Sequence, residues 1–259
     1  MASTRQPLDS RSLIASVLLG SHPPQLSGKR LVALGELFGI ADGTTRVALS
    51  RMVRRGELSN TAGDYALQGA LLARQRRQDE SRRSPSTEQD QSEGAWEQWI
   101  VRDGRRSSKS RLELRSAARQ LNLAELREGV WLRPANLDPQ RLPDARLLMA
   151  KQAHRFDCLP DDASGLISKL FDTSGWAAGA RRLIDELIEH ESRIVDEPNE
   201  TIPTSFFTAT AVVRHILFDP LLPASLLPAD WPGGQLRSAY AEQEKLLQGA
   251  LAKFFSGVS

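Results

Sequence analysis

The chain has 259 residues, 40% of them hydrophobic and 25% charged, so it is long enough for two or three domains with cores of their own. Its single cysteine excludes a disulfide framework and a thiolate-rich zinc site, and its four histidines lack the spacing of metal ligands. No apolar run is long enough to span a bilayer and no signal peptide is recognisable. We therefore expect a cytoplasmic protein with no metal and no membrane contact.

Positive charge is concentrated near the start of the chain. Residues 1–84 hold 13 Lys and Arg against 7 Asp and Glu, whereas the net charge of the whole chain is only +2. This asymmetry favours a polyanionic partner for the N-terminal part. Ordinary solvated arginines would give the same count, so their position on the predicted elements has to decide between the two interpretations.

Three short helices are predicted within residues 1–68. Apolar residues recur with helical spacing from about residue 13, before a Pro-Pro break. Ser27 is placed to cap a second helix that ends at Gly39, and Asp42 or Thr44 to cap a third. Two helices joined by such a short turn indicate a helix-turn-helix, although an ordinary helical hairpin would look similar.

The third helix has two unlike faces. Residues 46–58 read RVALSRMVRRGEL, with four arginines before the first acid. A helical wheel places residues 45, 48, 49 and 52 on one side and residues 46, 47, 50, 51 and 54 on the other. We expect the first side to pack on a core and the second to present guanidiniums, as a recognition helix does.

A strand, a glycine turn and a second strand are predicted over residues 58–67, LSNTAGDYAL. A two-stranded hairpin directly after a recognition helix is a wing. The fold predicted for residues 1–68 is therefore a winged helix-turn-helix.

Residues 69–94 begin as an arginine-bearing helix and continue into a polar tract, which predicts a connecting helix and a linker. Residues 95–172 predict a small α/β layer. Its elements are a strand at 96–101, an amphipathic helix at about 107–121 with Leu112 on the apolar side, a strand at 128–134, further strands at 147–150 and near Phe156, and a short helix at 165–171.

Residues 173–259 predict a helical C-terminal domain. Thr173 is expected to cap its first helix, the second runs from about residue 201 to 218, and the last extends through residue 254. A proline-rich corner separates the last two helices.

Three segments resemble one protein family. Residues 46–56 (RVALSRMVRRG), 128–134 (EGVWLRP) and 218–233 (FDPLLPASLLPADWPG) are similar to segments of PaaX-type transcriptional repressors, in the same order. The resemblance implies an α+β chain with an N-terminal winged helix-turn-helix, a central ferredoxin-like domain and a helical C-terminal domain. It also implies a homodimer that represses an aromatic-acid (phenylacetate-like) catabolic operon and leaves operator DNA when an inducer binds, namely phenylacetyl-CoA or another acyl-CoA.

The chain departs from the family pattern at three places. The wing has no basic residue, Glu57 stands where a tryptophan is common, and Asn122 stands where a glycine is usual. We therefore expect the wing to contribute little to DNA affinity.

A set of basic and hydroxyl residues is predicted to bind double-stranded DNA. The exposed side of the third helix is expected to contact bases and phosphates, the threonines at its start to bind a phosphate, and the basic pair opening the second helix to contact phosphates. On the wheel, Thr45 alternatively faces the core. The set consists of Lys29, Arg30, Thr44, Thr45, Arg46, Ser50, Arg51, Arg54 and Arg55.

An acyl-CoA pocket is a further expectation, between the central and C-terminal parts. Its candidate walls and phosphate partners are Trp131, Trp176, Arg214, His215 and Trp231. Tryptophans are more often core residues, and Arg214 more often forms an ordinary salt bridge.

Two other classes of function stay open. One is a protein-binding adaptor that uses the winged helix as its interface, which the outward arginines disfavour. The other is a nuclease or CoA-handling enzyme on the ferredoxin-like domain, with His154, Asp157, Asp161 and Asp162 as polar candidates. No motif organises these four residues for catalysis, and acids around a proline loop usually cap a helix, so no catalytic residue is assigned.

Overall fold

The computed structural model describes residues 9–82, 94–102 and 104–258. The chain divides into two compact units, and the three C-terminal helices contribute to both. The domain boundaries predicted from the sequence stay a prediction. The first unit comprises Met1–Arg82, Leu183–Val213 and Arg237–Ser259, and the second comprises Arg83–Arg182 and Arg214–Leu236.

The N-terminal part of the first unit combines helices with a small antiparallel sheet of order β1-β3-β2. The three predicted helices and the hairpin are confirmed. In chain order the elements are α1 Ser10–Gly20, β1 Gln25–Ser27, α2 Gly28–Leu37, α3 Asp42–Arg54, β2 Leu58–Thr61, β3 Asp64–Leu67 and α4 Gly69–Arg82.

Two details near the second and third helices differ from prediction. Strand β1 was not expected, because three residues directly after two prolines carry no alternating pattern; it pairs with β3, with Leu26 opposite Tyr65. The N-cap of α3 is Ala41, without a side-chain cap, so the prediction that Asp42 or Thr44 caps this helix was wrong. Ser27 does cap α2, since its side chain accepts a hydrogen bond from the N–H of Arg30.

The core of the first unit is formed by the inward faces of α1, α2 and α3. Leu34, Leu49 and Met52 are nearly inaccessible to solvent and belong to one apolar cluster, which also includes residues of the C-terminal helices such as Phe206. The ring of Phe38, just after α2, meets that of Phe206 edge-on at 5.4 Å between centroids. Because these side chains are buried, the apolar side of α3 packs firmly on the core and its other side faces solvent.

The second unit contains a four-stranded antiparallel sheet of order β5-β6-β4-β7. Trp96 and Trp99 lie on opposite faces of it, because they are three positions, an odd number, apart along one strand. Helices α5 and α6 pack on the face of Trp99, and α7 packs on the face of Trp96. The elements are β4 Trp96–Val101, α5 Ser108–Gln120, β5 Ala124–Arg127, β6 Val130–Pro134, α6 Pro143–Gln152, β7 Ala153–Cys158 and α7 Ala163–Leu170.

Several predictions for this unit need correction. The apolar run 147–150 lies within helix α6 rather than a strand, because a short apolar run does not distinguish the two. Strand β5 was not predicted, and Leu112 is 67% exposed instead of facing the core. Asn122 has φ +55°, a conformation that asparagine shares with glycine, so its departure from the family pattern leaves the turn intact.

Three long helices follow, with a short 3₁₀ turn at Ala224–Leu226. Asp172 accepts a hydrogen bond from the N–H of Gly175 at 2.8 Å, so the cap at the start of the first of them is Asp172 and not Thr173. The second of these three helices begins at Pro198, before the start predicted at about residue 201. Within the described residues, no helix has both the length and the apolar character needed to cross a membrane. The bounds are α8 Thr173–Asp196, α9 Pro198–Leu217 and α10 Gly233–Ser256.

Candidate nucleic-acid interface

The two faces predicted for α3 are confirmed by their burial. Leu49 and Met52 are 2% and 1% exposed. On the opposite side the arginines and Ser50 are exposed, and Val47 lies among them with 49% of its surface accessible. An exposed apolar side chain among guanidiniums is of a kind that contacts a thymine methyl group.

The arginines of α3 differ in their partners. Arg46 forms an ion pair with Asp42 one turn earlier, and this hydrogen-bonded carboxylate raises the pKa of Arg46. The side chains of Arg51, Arg54 and Arg55 have no hydrogen bond or ion pair to any residue that the structure describes. These three guanidiniums therefore have their donors free for an external anion.

The start of α3 is open to solvent. Because Ala41 offers no capping side chain, the first N–H groups of the helix are left without a side-chain acceptor, as in helices that bind phosphate. Thr44 is exposed there. Thr45 is only 1% exposed and its hydroxyl donates to the carbonyl of Ala41, so it belongs to the core and not to the arginine surface.

Glu57, the acid that follows α3, is already neutralised. Arg11 of α1 donates to its carboxylate through Nε and Nη2, each at 2.9 Å, and Glu57 in turn raises the pKa of Arg11. Sequence reasoning missed this pair, which is 46 residues apart. Its consequence is that the charge of Glu57 does not oppose the positive face of α3.

The hairpin after α3 turns at Ala62 and Gly63, both with positive φ, and the N–H of Gly63 donates to the side chain of Asn60 at 3.1 Å. The carbonyl of Gly63 accepts from the N–H of Gly28 at 2.9 Å, which fixes the hairpin against the start of α2. Asp64 is the one charged residue between positions 58 and 67. The hairpin is therefore well held but offers no cation to DNA.

The basic pair at the start of α2 is exposed. The guanidinium of Arg30 lies 5.4 Å from the ring centroid of Phe255, a cation–π contact that leaves part of the group accessible. Lys29 has no partner in the described part of the chain. Both residues keep the position at the helix start that was predicted for phosphate contacts.

The connecting helix α4 packs on α1. Buried Gln75 donates from Nε2 to the carbonyls of Leu19 and Ser21, at 3.2 and 3.0 Å, and so caps the end of α1. The predicted polar tract 84–93 lies outside the described residues.

Three of the candidate effector residues meet in one stack. The ring of Trp176 stacks on those of His215 and Trp231, with centroids 4.6 Å away in each case. Nε2–H of His215 donates to the carbonyl of Trp176 at 2.9 Å, and Trp176 returns a hydrogen bond to the carbonyl of His215. Trp176 is 7% exposed, so it offers no free aromatic wall.

The other two candidates are elsewhere. Trp131 lies in the sheet core, where it pairs with Trp99 across β6 and β4. Arg214 is exposed and has no partner among the described residues. The five residues predicted as an effector site thus do not form one wall.

Two of the four residues weighed for catalysis, Asp157 and Asp162, are engaged in structural contacts. Asp162 caps α7 by accepting from the N–H of Gly165 at 2.8 Å, and Asp157 pairs with Arg155. His154 lies near the ring of Phe156, 6.5 Å between centroids. Among the described residues, no group of three or more His, Cys, Asp or Glu is arranged to hold a metal ion.

Comparison with known proteins assigns the family. A model described as PaaX-like protein matches residues 9–71, and a model described as PaaX-like protein C-terminal domain matches residues 172–257. Together the matches cover more than half of the chain. The chain therefore belongs to the PaaX-like family, a family of transcription regulators.

One solved structure is similar to this chain over nearly its whole length. The chain is similar to the uncharacterized protein Rv0674 from Mycobacterium tuberculosis, with 37% sequence identity over 95% of this chain and 98% of that one, and a TM-score of 0.71. No curated protein matches the chain.

Proposed function

We propose that the chain is a DNA-binding transcriptional repressor that acts in the cytoplasm on double-stranded operator DNA. The observation that carries the proposal is the exposed face of α3, where the guanidiniums of Arg51 and Arg54 have no partner in the described residues while the opposite face is buried. Arginines on one face of a helix suit the major groove, since a guanidinium donates two hydrogen bonds to the edge of guanine.

The order of the elements supports a winged helix-turn-helix in the first unit. Helix, strand, two helices and a hairpin follow one another, and β1 adds a third strand to the sheet of the wing. In the second unit, the order β4-α5-β5-β6-α6-β7 with sheet order β5-β6-β4-β7 supports the ferredoxin-like arrangement.

Eight of the nine predicted residues have a role in this proposal, and the ninth, Thr45, lies in the core. Arg46, Ser50, Arg51 and Arg54 contact bases and phosphates from α3, and Arg55 adds a phosphate contact at its end. Thr44 and the uncapped helix start bind a phosphate oxygen. Lys29 and Arg30 contact the DNA backbone and add affinity without sequence information.

We expect a homodimer, because the DNA-contacting surface of a single α3 helix is small. One copy of α3 contacts too few base pairs for operator specificity, whereas two copies related by a twofold axis read a palindrome with half-sites about one helical turn apart, or a multiple of it. The family supports an aromatic-acid catabolic operon as the target and an acyl-CoA such as phenylacetyl-CoA as the effector. Such an effector has to favour a dimer geometry that does not match the half-sites, because a ligand bound equally by both states would shift nothing.

The experiment is a mobility shift with a DNA fragment from upstream of the protein's own gene, at defined salt and with competitor DNA, with and without phenylacetyl-CoA. We expect specific binding that the thioester relieves. Specific binding that the thioester leaves unchanged would contradict this effector but not the repressor. Absence of specific binding would contradict the repressor and leave the adaptor or the enzyme.

A further inference from the structure

A buried acid lies in the middle of the second unit. Glu97 of β4 is 3% exposed and lies on the same face of the sheet as Trp99. One of its oxygens, Oε2, accepts from Arg146 Nη1 at 3.0 Å, from Trp99 Nε1 at 3.3 Å and from Arg155 Nε at 3.5 Å. Buried carboxylates require such partners, so these contacts compensate for its burial.

The two arginines that contact Glu97 differ in how many of their N–H groups have an acceptor. Arg155 also donates to Asp157 through both of its terminal nitrogens, so most of its donors are occupied. Arg146 uses one nitrogen for Glu97, while its buried Nε has no hydrogen bond partner and its Nη2 has none among the described residues. Arg146 therefore retains unused N–H donors beside Glu97.

Glu97, Arg146, Arg155 and the ring of Trp99 line a cavity of about 490 Å³. The other residues of its wall are apolar, and they come from the loop before α6 and from α6 itself. Leu147, on that wall, is 56% exposed, so apolar surface continues to the mouth. Clefts of this size with few polar groups on an apolar wall are typical of small-molecule sites. The remaining wall residues are Ala135, Leu137, Pro139, Pro143 and Ala150.

We propose that this cavity binds a small organic carboxylate with an apolar aryl or alkyl body. The carboxylate pairs with Arg146, whose planar guanidinium can donate to it through unused N–H groups. The apolar body lies against Trp99 and the aliphatic wall. A coenzyme A thioester has no carboxylate at its acyl end to pair with Arg146, so the free acid is the occupant. This binding step does not depend on the DNA-binding proposal.

The first test compares ligands on the full chain by isothermal titration calorimetry. The probes are 3-phenylpropanoate and octanoate, the corresponding neutral amides, and the coenzyme A thioester of 3-phenylpropanoate. We expect saturable binding of at least one of the two acids, with its amide at least about tenfold weaker, because a charge-assisted hydrogen bond is lost. An amide that binds as tightly as its acid, or a thioester that binds while neither acid does, would overturn the proposal.

The second test compares variants. Arg146→Met should weaken binding of the acid at least about tenfold, and Glu97→Gln should strengthen it, because the competing carboxylate is removed from Arg146. Since Arg146→Met leaves a buried acid with less compensation and can affect folding, Ala150→Trp serves as a second variant. Position 150 is exposed on α6 and lines the cavity, so a larger ring there fills the cavity while Arg146 stays in place.

Arg111→Met, on the exposed side of α5, is the matched control and should change the affinity less than about twofold. Circular dichroism of each variant shows whether the fold is retained. Binding of the acid that survives unchanged in a folded Ala150→Trp variant would overturn the assignment to this cavity. Failure of both acids to bind the wild-type chain would overturn the proposal itself.

Discussion

Arg133 donates from Nη2 to the main-chain carbonyl of Leu221 at 2.7 Å, and this bond joins two of the three segments that carry the family resemblance. Arg133 is fully buried on β6, and burial lowers its pKa to about 9, so the guanidinium stays protonated at neutral pH. Its five N–H groups are all matched by acceptors. Leu221 has φ +49°, and the side chain of Asp219 accepts its N–H at 2.9 Å.

Replacing Arg133 should therefore lower the free energy of unfolding by more than the loss of one ordinary hydrogen bond would. In Arg133→Met, the carbonyl of Leu121 loses this donor and the carbonyl of Leu221 keeps only that of Asn136 Nδ2. We expect the free energy of unfolding to fall by about 3 kcal/mol. Urea denaturation followed by circular dichroism measures this change. Arg127→Met, at an exposed position of the neighbouring strand β5, is the control and should shift stability by less than about 0.5 kcal/mol. Equal stability of the two variants would contradict this role of Arg133.

The crossing of α2 and α3 depends on Gly35. A Cβ atom at this position would lie 2.4 Å from Oγ1 of Thr45, a buried β-branched side chain with little rotamer freedom. We expect Gly35→Ala to destabilise the chain by about 1–3 kcal/mol. Thermal unfolding checks this, and the double variant Gly35→Ala with Thr45→Ala should recover part of the loss because the clash is removed.

Gly43→Ala is the matched control for this prediction. Gly43 lies inside α3 with open space where a Cβ would stand, so alanine should raise stability by up to about 1 kcal/mol through helix propensity. A Gly35→Ala variant that is as stable as Gly43→Ala would show that the two helices do not need this close approach.

The wing offers a gain-of-function test of the proposed DNA contact. Thr61 is exposed at the end of β2, in a hairpin without a basic residue. If the hairpin lies along the DNA backbone, Thr61→Lys should add about one unit per subunit, or about two for the dimer, to the slope of log affinity against log salt. It should also tighten binding at low salt. Ser116→Lys, on an exposed face of α5, adds the same charge elsewhere. The same slope for both variants and the wild type would contradict a wing next to phosphate.

Protonation of His215 should loosen the ring stack. Burial lowers the pKa of His215 below its usual 6.5, although its hydrogen bond to Trp176 acts in the opposite direction. Because the folded-state pKa lies below that of the unfolded chain, the neutral ring stabilises the fold above about pH 6.5. This stability is lost as the pH falls through the folded-state value.

Tryptophan fluorescence during urea denaturation at pH 7.5 and pH 5.5 measures this effect. We expect the wild type to lose more stability between the two values than His215→Phe, which keeps an aromatic ring at this position but does not titrate. The same loss in both proteins would show that other groups cause the pH dependence.

The amphipathic helices could be predicted because their burial follows a short sequence period. In α3 the helical wheel separates the buried Leu49 and Met52 from the exposed arginines. The candidate surface could therefore be predicted from the sequence. The turn at Asn122 was harder to judge, since its φ of +55° depends on backbone geometry that one residue letter does not specify.

The features that were missed depend on contacts between distant parts of the chain. Glu97 meets Arg146 and Arg155 across 49 and 58 residues, and no spacing rule connects them. A charged residue within the apolar strand 96–101 was the one available signal. Likewise, the apolar run in α6 has no periodicity of its own, and its assignment depends on the sheet that it covers.

The central claim is that the exposed face of α3 binds DNA. A fluorescence anisotropy titration of labelled DNA tests this claim most directly. The DNA is the sequence that the wild-type chain selects from a random duplex library, and the protein is compared with Arg51→Ala/Arg54→Ala and with Arg115→Ala/Arg119→Ala. The second variant removes two exposed arginines from α5 and so carries the same change in charge.

We expect the α3 double variant to bind the selected DNA at least about 100-fold more weakly than the wild type, because two guanidinium contacts are lost. The α5 variant should bind within about twofold of the wild type, and size-exclusion chromatography should give one oligomeric state for all three proteins. Unchanged specific binding by a folded Arg51→Ala/Arg54→Ala variant would contradict the assignment of α3 as the DNA-reading helix.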